Sequence, residues 1–251
     1  MQSMNIKQVL QNEGYVLKHY ESVHSTMDTL KELFNYNKNK LFIIADKQVE
    51  GKGRRGSFWH SPKGNVYFSF SLEMLIDIKD HFIINAAVAL TIAKTIDSIC
   101  NVISNIKWPN DILVNGKKIS GLMTEIIKQN DTNYILIGVG INVDSSPIIS
   151  KYPTTFTKEI NSSFEKINII ELFILNFFKK YKKIEYSIYD SILKEFKNKL
   201  LYLNKNINLQ LDRSKFIKGR FEDINLDGSI VINVNGVKQN LYSARIIDDR
   251  N

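Results

Sequence analysis

Cysteine is almost absent: Cys100 is the only one in 251 residues, so an internal disulfide is excluded. Histidine is scarce too. His19, His24, His60 and His81 with that single thiol do not make a Cys-rich zinc module. There is no long unbroken apolar run. The most apolar stretch, Phe82 to Ile96, is interrupted by Asn85, Thr91 and Lys94 and is too short and too polar to span a bilayer. Met1-Gln2-Ser3-Met4-Asn5 lacks a basic start followed by an apolar segment, so no secretion signal is expected and the expected location is cytoplasmic, off the membrane. With 43% hydrophobic and 24% charged residues, a chain of this length buries a real core, which excludes disorder.

What the chain has in excess is positive charge. Lys and Arg number 34 against 26 Asp and Glu, a net charge of +8. That predicts anionic partners and leaves nucleic acid, phosphates and carboxylates equally open.

Ser25-Thr26-Met27-Asp28 opens a predicted helix over 25–34, with Ser25 or Thr26 as cap and Asp28 near the positive end of the helix dipole. Leu41–Ala45 reads as a short strand, and Val66–Leu72 alternates as a half-buried one. Residues 81–100 read as a core helix rich in small alanines, and 165–203 as helical. Ile112-Leu113-Val114 meets Asn115-Gly116, a strong hairpin signal. Thr124–Ile127 and Tyr134–Val143 suggest a second hairpin. After Asn204 the texture changes to short alternating strands, Ile207–Leu211, Phe216–Ile224, Ile230–Val234 and Val237–Ile247, with turns at Asn225–Gly228 and Asn235-Gly236. The expected organisation is 1–204, mixing helices with a mixed, antiparallel-rich sheet (α+β or α/β), and 205–251, a small all-β module.

Three segments carry the chemistry. Gly51-Lys-Gly-Arg-Arg-Gly56 matches G-x-G-x-x-G, but Ser57-Phe-Trp-His-Ser-Pro62 follows where a dinucleotide fold needs a helix, so that reading is rejected. What is left is a glycine loop with Lys52, Arg54 and Arg55, suited to holding an anion with backbone N–H groups and guanidinium forks. Lys107-Trp-Pro-Asn-Asp111 follows, with Trp108-Pro109 predicting an extended entry. The hairpin then returns Lys118 towards Asn110 and Asp111, as a phosphate or metal site or as a surface salt bridge. Gly138-Val-Gly140-Ile-Asn142 leaves a smooth strand face for a ligand or for helix packing. No nucleophile constellation is visible, so any chemistry rests on positioning and charge neutralisation.

Together these segments resemble the biotin protein ligase family. The matching pieces are Ser25-Thr26, Gln48, Gly51–Gly56, Trp59 with Ser61-Pro62, Lys107–Asp111, Lys118-Ile-Ser-Gly121 and Gly138–Asn142, in the family's order over roughly 20–145. The resemblance implies a class II synthetase-like α+β catalytic domain, with a mixed central sheet flanked by helices, and a small C-terminal SH3-like β-barrel. It implies an adenylate-forming ligase: biotin and Mg-ATP give biotinyl-5′-AMP and pyrophosphate, and a lysine of a biotin carboxyl carrier domain then displaces AMP. ATP, Mg²⁺ and biotin are the implied small molecules, with no prosthetic group.

By the resemblance, Lys118, Arg54 and Asp111 are the catalytic candidates. Ser25, Thr26, Gln48, Gly51, Lys52, Gly53, Arg54, Lys118 and Gly121 fall on the biotin side. Arg54, Arg55, Trp59, Asn110, Lys118 and Asn142 fall on the ATP side. Asp111 either orients Lys118 or receives magnesium. The segment Asp144 to Glu159 is expected to order over the adenine. Two positions depart from the family: Lys52 stands where arginine is usual, and Met27 where asparagine is usual. Only 24 residues precede Ser25, too few for a helix-turn-helix, so sequence-specific DNA binding is not expected. A homodimer is left open. Two other readings also stay open: a lipoate or octanoyl ligase on a related fold, and a non-enzymatic nucleic-acid-binding protein.

Overall fold

The computed structural model describes residues 6–37, 40–149, 152–185 and 189–247. A short helix α1 (Ile6–Asn12) leads into strand β1 (Tyr15–Tyr20), then α2 (Thr26–Asn37), β2 (Lys40–Ala45) and β3 (Val66–Glu73). Helix α3 (Phe82–Cys100) precedes four strands, β4 (Ser104–Lys107), β5 (Asp111–Val114), β6 (Lys117–Gln129) and β7 (Thr132–Ile141). Helices α4 (Thr157–Ile160), α5 (Lys166–Glu185) and α6 (Tyr189–Lys199) follow. The chain continues as β8 (Asn206–Gln210), β9 (Phe216–Ile224), β10 (Ile230–Val234), β11 (Val237–Leu241) and β12 (Arg245–Ile247).

The larger sheet has seven strands in the order β1-β2-β3-β7-β6-β5-β4. Only β1 and β2 run parallel, so the sheet is mixed and largely antiparallel. Alternation divides each strand between two covered faces. Leu41 and Ile43 meet Leu30 and Phe34 of α2, while Phe42, Phe68 and Phe70 meet Phe173 and Phe177 of α5. This corrects the half-buried reading of β3: Val66 to Leu72 are all buried, because α2 closes the face that carries Ser69 and Ser71. α3 is long and apolar enough in composition to cross a membrane, yet most of it is buried against the sheet and α5–α6.

Four sequence expectations are redrawn. Thr124–Ile127 is not a separate strand but the end of β6, which runs unbroken from Lys117. Trp108-Pro109 is no extended entry: Lys107 pairs with Asp111, so residues 108–110 form a tight reversal, with a cis Trp108-Pro109 peptide. The 165–203 helix is two helices, and residues 201–204 are turns in which Tyr202 and Asn204 take positive φ. Val237–Ile247 splits into β11 and β12, at opposite edges of the second sheet. β1 was missed because its alternation is weak and only Tyr15 is fully buried.

The second sheet is antiparallel throughout, in the order β11-β10-β9-β8-β12. Its apolar face, with Ile207, Leu209, Phe221 and Ile232, is continuous with the core around α3 and α6. Trp108 Nε1 donates to Gly228 O at 2.9 Å, and Lys197 pairs with Asp223 at 2.6 Å. Gly228 is held at φ +83°, and a β-carbon there would lie 2.3 Å from the Phe82 ring. Gly228→Ala therefore combines left-handed strain with overpacking and is expected to destabilise the chain by about 2–4 kcal/mol. A urea midpoint equal to wild type would contradict this contact.

Candidate active site

A cavity of about 720 Å³ lies over β6 and β7, between the Gly51–Trp59 segment, the 107–118 hairpins and the second sheet. One end is a buried polar network. Ser25 caps α2, its Oγ accepting from Met27 N at 3.2 Å. Gln48 Oε1 accepts from Thr26 N at 2.8 Å and Thr26 Oγ1 at 3.0 Å, while its amide donates to Ser61 Oγ at 2.9 Å. Ser69 Oγ donates to Thr26 Oγ1 at 2.7 Å. All five side chains belong to buried residues. Such a network persists in an apolar core only because its members satisfy one another.

The Gly51–Trp59 segment is a small hairpin. Gly53 N donates to Ser57 O at 2.7 Å and Trp59 N to Gly51 O at 2.8 Å, with Arg55 at φ 55° in the turn. Those amides are spent inside the hairpin. Within the Gly51–Gly56 loop the Gly53 amide is thus taken by Ser57 O, which corrects the expectation of an anion-wrapping backbone at that residue. Lys52 pairs with Asp28 at 2.7 Å. Arg54 Nη1 donates to Asn110 Oδ1 at 3.4 Å. Partial desolvation, then the like charge of Arg55, holds the Arg54 guanidinium below its ordinary pKa against the opposing pull of Asp111. Arg55 turns away to donate to Ser243 Oγ on the second sheet.

Trp59 lies across Gly140. A β-carbon there would sit 2.5 Å from Nε1, and one at Gly121 would sit 3.3 Å from the ring. Gly121 and Gly140 are register partners on β6 and β7, so together they form a flat floor for the indole. Gly138, by contrast, makes room for Met27 of α2, the packing role open to it from sequence.

Asn115 and Gly116 take φ of 50° and 75°, as their hairpin requires. A register shift then leaves Ile119 unpaired, so Asp111 faces Gly121 and Leu113 faces Lys118. The bulge brings Gly121, not Ser120, beneath the lysine. Lys118 Nζ lies 2.7 Å from Asp111 Oδ1, with 15% and 28% of the two side chains exposed. The Trp59 ring centroid is 5.1 Å from that ammonium and the Tyr152 centroid 5.4 Å. Around the cavity stand seven cations (Lys52, Arg54, Arg55, Lys107, Lys118, Arg213, Arg245) against the carboxylates Asp111 and Asp212. A concave site with this imbalance concentrates anions.

Residues 20–142 match the sequence model of the Biotin/lipoate A/B protein ligase family. The chain is 28% identical over 241 residues to the bifunctional ligase/repressor BirA of Bacillus subtilis, an alignment covering 93% of this chain and 74% of that one. It superposes on the biotin protein ligase from Aquifex aeolicus, solved in complex with biotin and ATP, with a TM-score of 0.77 at 25% identity, covering 92% and 97% of the two chains. This chain belongs to the biotin protein ligase family.

The ligase gathers most of the residues singled out from sequence around one cavity. Ser25, Thr26, Gln48, Lys52, Gly53, Arg54, Arg55, Trp59, Asn110, Asp111, Lys118 and Gly121 all line it. Gly51 and Asn142 are not among the lining residues. Gly51 packs beneath the hairpin, where a β-carbon would strike Ser61 Oγ and Trp59 O at 2.4 Å. Asn142 is buried, and its amide donates to Thr155 O at 3.1 Å. Tyr152 lines the cavity from the segment Asp144 to Glu159 singled out in sequence, though not by name, whereas sequence reasoning missed Ser69 in the polar network and the second-sheet residues Gln210–Arg213 and Ser243–Ile246. Ser69 shows no signal beyond its alternation, and the second-sheet residues meet the cavity only through tertiary packing.

Cys100 is buried at the end of α3, on the far side of the sheet, and burial then nearby Asp97 push its thiol up to about 11. At pH 8 roughly one part in a thousand is thiolate. An aromatic disulfide reagent is expected to leave the folded ligase unmodified at pH 8 and to titrate one thiol in denaturant. Rapid stoichiometric labelling of the folded chain would refute an inert Cys100.

Proposed function

We propose that the buried polar end of the cavity takes the biotin head group, that its cationic region takes ATP, and that the reaction centre lies at Lys118. The ligase activates biotin with ATP and transfers it to a lysine of a biotin carboxyl carrier domain. Gln48 uses one amide hydrogen on Ser61 and retains another, and Thr26 and Ser25 sit beside it. That is suitable for a ureido ring, which both donates and accepts.

In the first step a biotin carboxylate oxygen attacks the α-phosphorus, the α–β phosphoanhydride bond breaks, and pyrophosphate leaves. In the second the carrier amine attacks the acyl carbon, the acyl–phosphate bond breaks, and AMP leaves. The first step brings two anions together, so the barrier is electrostatic. The observation that carries the proposal is Lys118, an ammonium held by Asp111 at 2.7 Å within an anion-attracting cavity, with Arg54 across the mouth. Lys118 neutralises charge on the transferring group, Arg54 shares that charge, and Asp111 orients Lys118.

ATP brings Mg²⁺ with its phosphates in this reading. Magnesium is usually held by one or two carboxylates with phosphates and water. Among the described residues the cavity carries two carboxylates, Asp212 and Asp111, the latter paired with Lys118, and no three metal-binding side chains cluster. In this reading the phosphates and water hold the magnesium, and Asp111 acts through Lys118. With its one buried thiol, the chain suits a reducing compartment such as the cytoplasm.

Transfer of radiolabelled biotin to a carrier domain, together with biotin-dependent pyrophosphate release, tests the assignment. Lys118→Ala is expected to lower adenylation by about 10²–10³-fold, the scale of losing one preorganised charge stabiliser. Asp111→Asn is expected to lower it about tenfold, because the lysine survives but loses its orienting partner. Full activity of Lys118→Ala would remove the role given to it. Pyrophosphate release driven by lipoate in place of biotin would move the chain to the related ligase class.

A further inference from the structure

β7 ends at Ile141, one residue beyond Gly140, while β6 continues on to Lys118 with no β7 partner past Ser120. The chain leaves the sheet after Asn142 and returns to fill that gap. Lys118 N donates to Pro153 O at 2.9 Å, Thr155 N donates to Lys118 O at 3.0 Å, and Thr154 forms a parallel bridge with Lys118. Asn142 pins the return by donating to Thr155 O. The backbone of the lysine is thus the docking point for the returning strand, and Tyr152 is placed one residue before it. Its ring centroid lies 5.4 Å from Lys118 Nζ, and Trp59 presents its ring at 5.1 Å.

An ammonium on a four-carbon stem has many rotamers, and one ion pair fixes only one of its three donors. Two aromatic faces attract the remaining positive surface without offering an acceptor that would compete permanently with an incoming anion. We propose that Tyr152 is a positioning residue for Lys118: its ring and that of Trp59 form, with Asp111, a three-sided cage that holds the ammonium ready for the charge developing on the α-phosphoryl group. The proposal rests on the role assigned to Lys118 above and deepens it. It concerns the tyrosine ring, not its hydroxyl, and transition-state alignment, not ground-state binding.

The full chain is assayed by steady-state pyrophosphate release with biotin and ATP varied. If the wild type releases no pyrophosphate in response to biotin, the functional reading itself fails. Given an active wild type, Tyr152→Phe is expected to keep kcat within twofold, because the face is retained. Tyr152→Leu is expected to lower kcat about tenfold with KM for biotin and ATP within twofold, the size of a desolvated cation–π contact. Replacing position 152 by phenylalanines carrying one, two and three fluorines weakens the face with little change of shape, and kcat is expected to fall stepwise. Wild-type kcat in Tyr152→Leu overturns the proposal. So does an equal loss in Tyr152→Phe, a rise in KM alone, or a fluorine series with constant kcat. Tyr152 is only half-buried, so folding is expected to survive. Melting temperature checks this, and the fluorine series decides the matter if Tyr152→Leu does not fold.

Discussion

The pairing of Lys118 with Asp111 is the constraint around which the cavity is arranged. Joining a carboxylate to a phosphate forces like charges together, and water is a poor helper because it must reorganise as charge moves. A fixed cation in a half-buried position avoids that reorganisation. The pair is not a strong contributor to folding: at such a site desolvation offsets much of the attraction. Its value lies in geometry. A two-residue turn that requires positive φ, Asn115-Gly116, fixes which residues oppose one another, and the bulge at Ile119 then places a glycine under the ammonium. A side chain larger than glycine at 121 would crowd both Lys118 and Trp59.

Local chemistry made parts of this legible in the sequence. The Asn115-Gly116 turn, the Ser25 cap, the core helix and the change of texture after Asn204 are each written in neighbouring residues, and the structure contains all of them. The register shift is not written locally. It depends on β6 matching β5 on one side and β7 on the other, and no single-strand pattern records that compromise. The Gly51–Gly56 loop shows the same limit. Three glycines suggested freedom, yet hydrogen bonds from Gly53 and Trp59 close a compact hairpin, and Gly51 is required by Ser61. Ser243 was illegible because it reaches the cavity from a distant part of the chain, and within Asp144 to Glu159 nothing local distinguishes Tyr152 from its neighbours.

The two sides of the cavity differ in how firmly they are held. Lys118 belongs to an interior strand with hydrogen bonds on both flanks, and the side chains of the Thr26–Gln48–Ser69 network satisfy one another at the buried end of the cavity. The cationic hairpin opposite is tied at its tip by exposed contacts, Lys52 with Asp28 and Arg55 with Ser243. Exposed ion pairs are each worth about 0–1 kcal/mol, so the Lys52–Asp28 tie holds the hairpin only weakly.

That contrast fits a reaction with two demands. An acyl phosphate must be kept from water, which calls for a cover, and a carrier lysine must later reach the same carbon, which calls for the cover to move at little cost. If the covering loop were held as firmly as Lys118, the second step would have to break a buried network. In the proposed reaction, a Lys118 held as loosely as Lys52 would cost the first step its alignment. In the proposed reaction a firmly held Lys118 beside a hairpin tied by exposed contacts meets both demands, and one of those contacts reaches across to Ser243 of the second sheet.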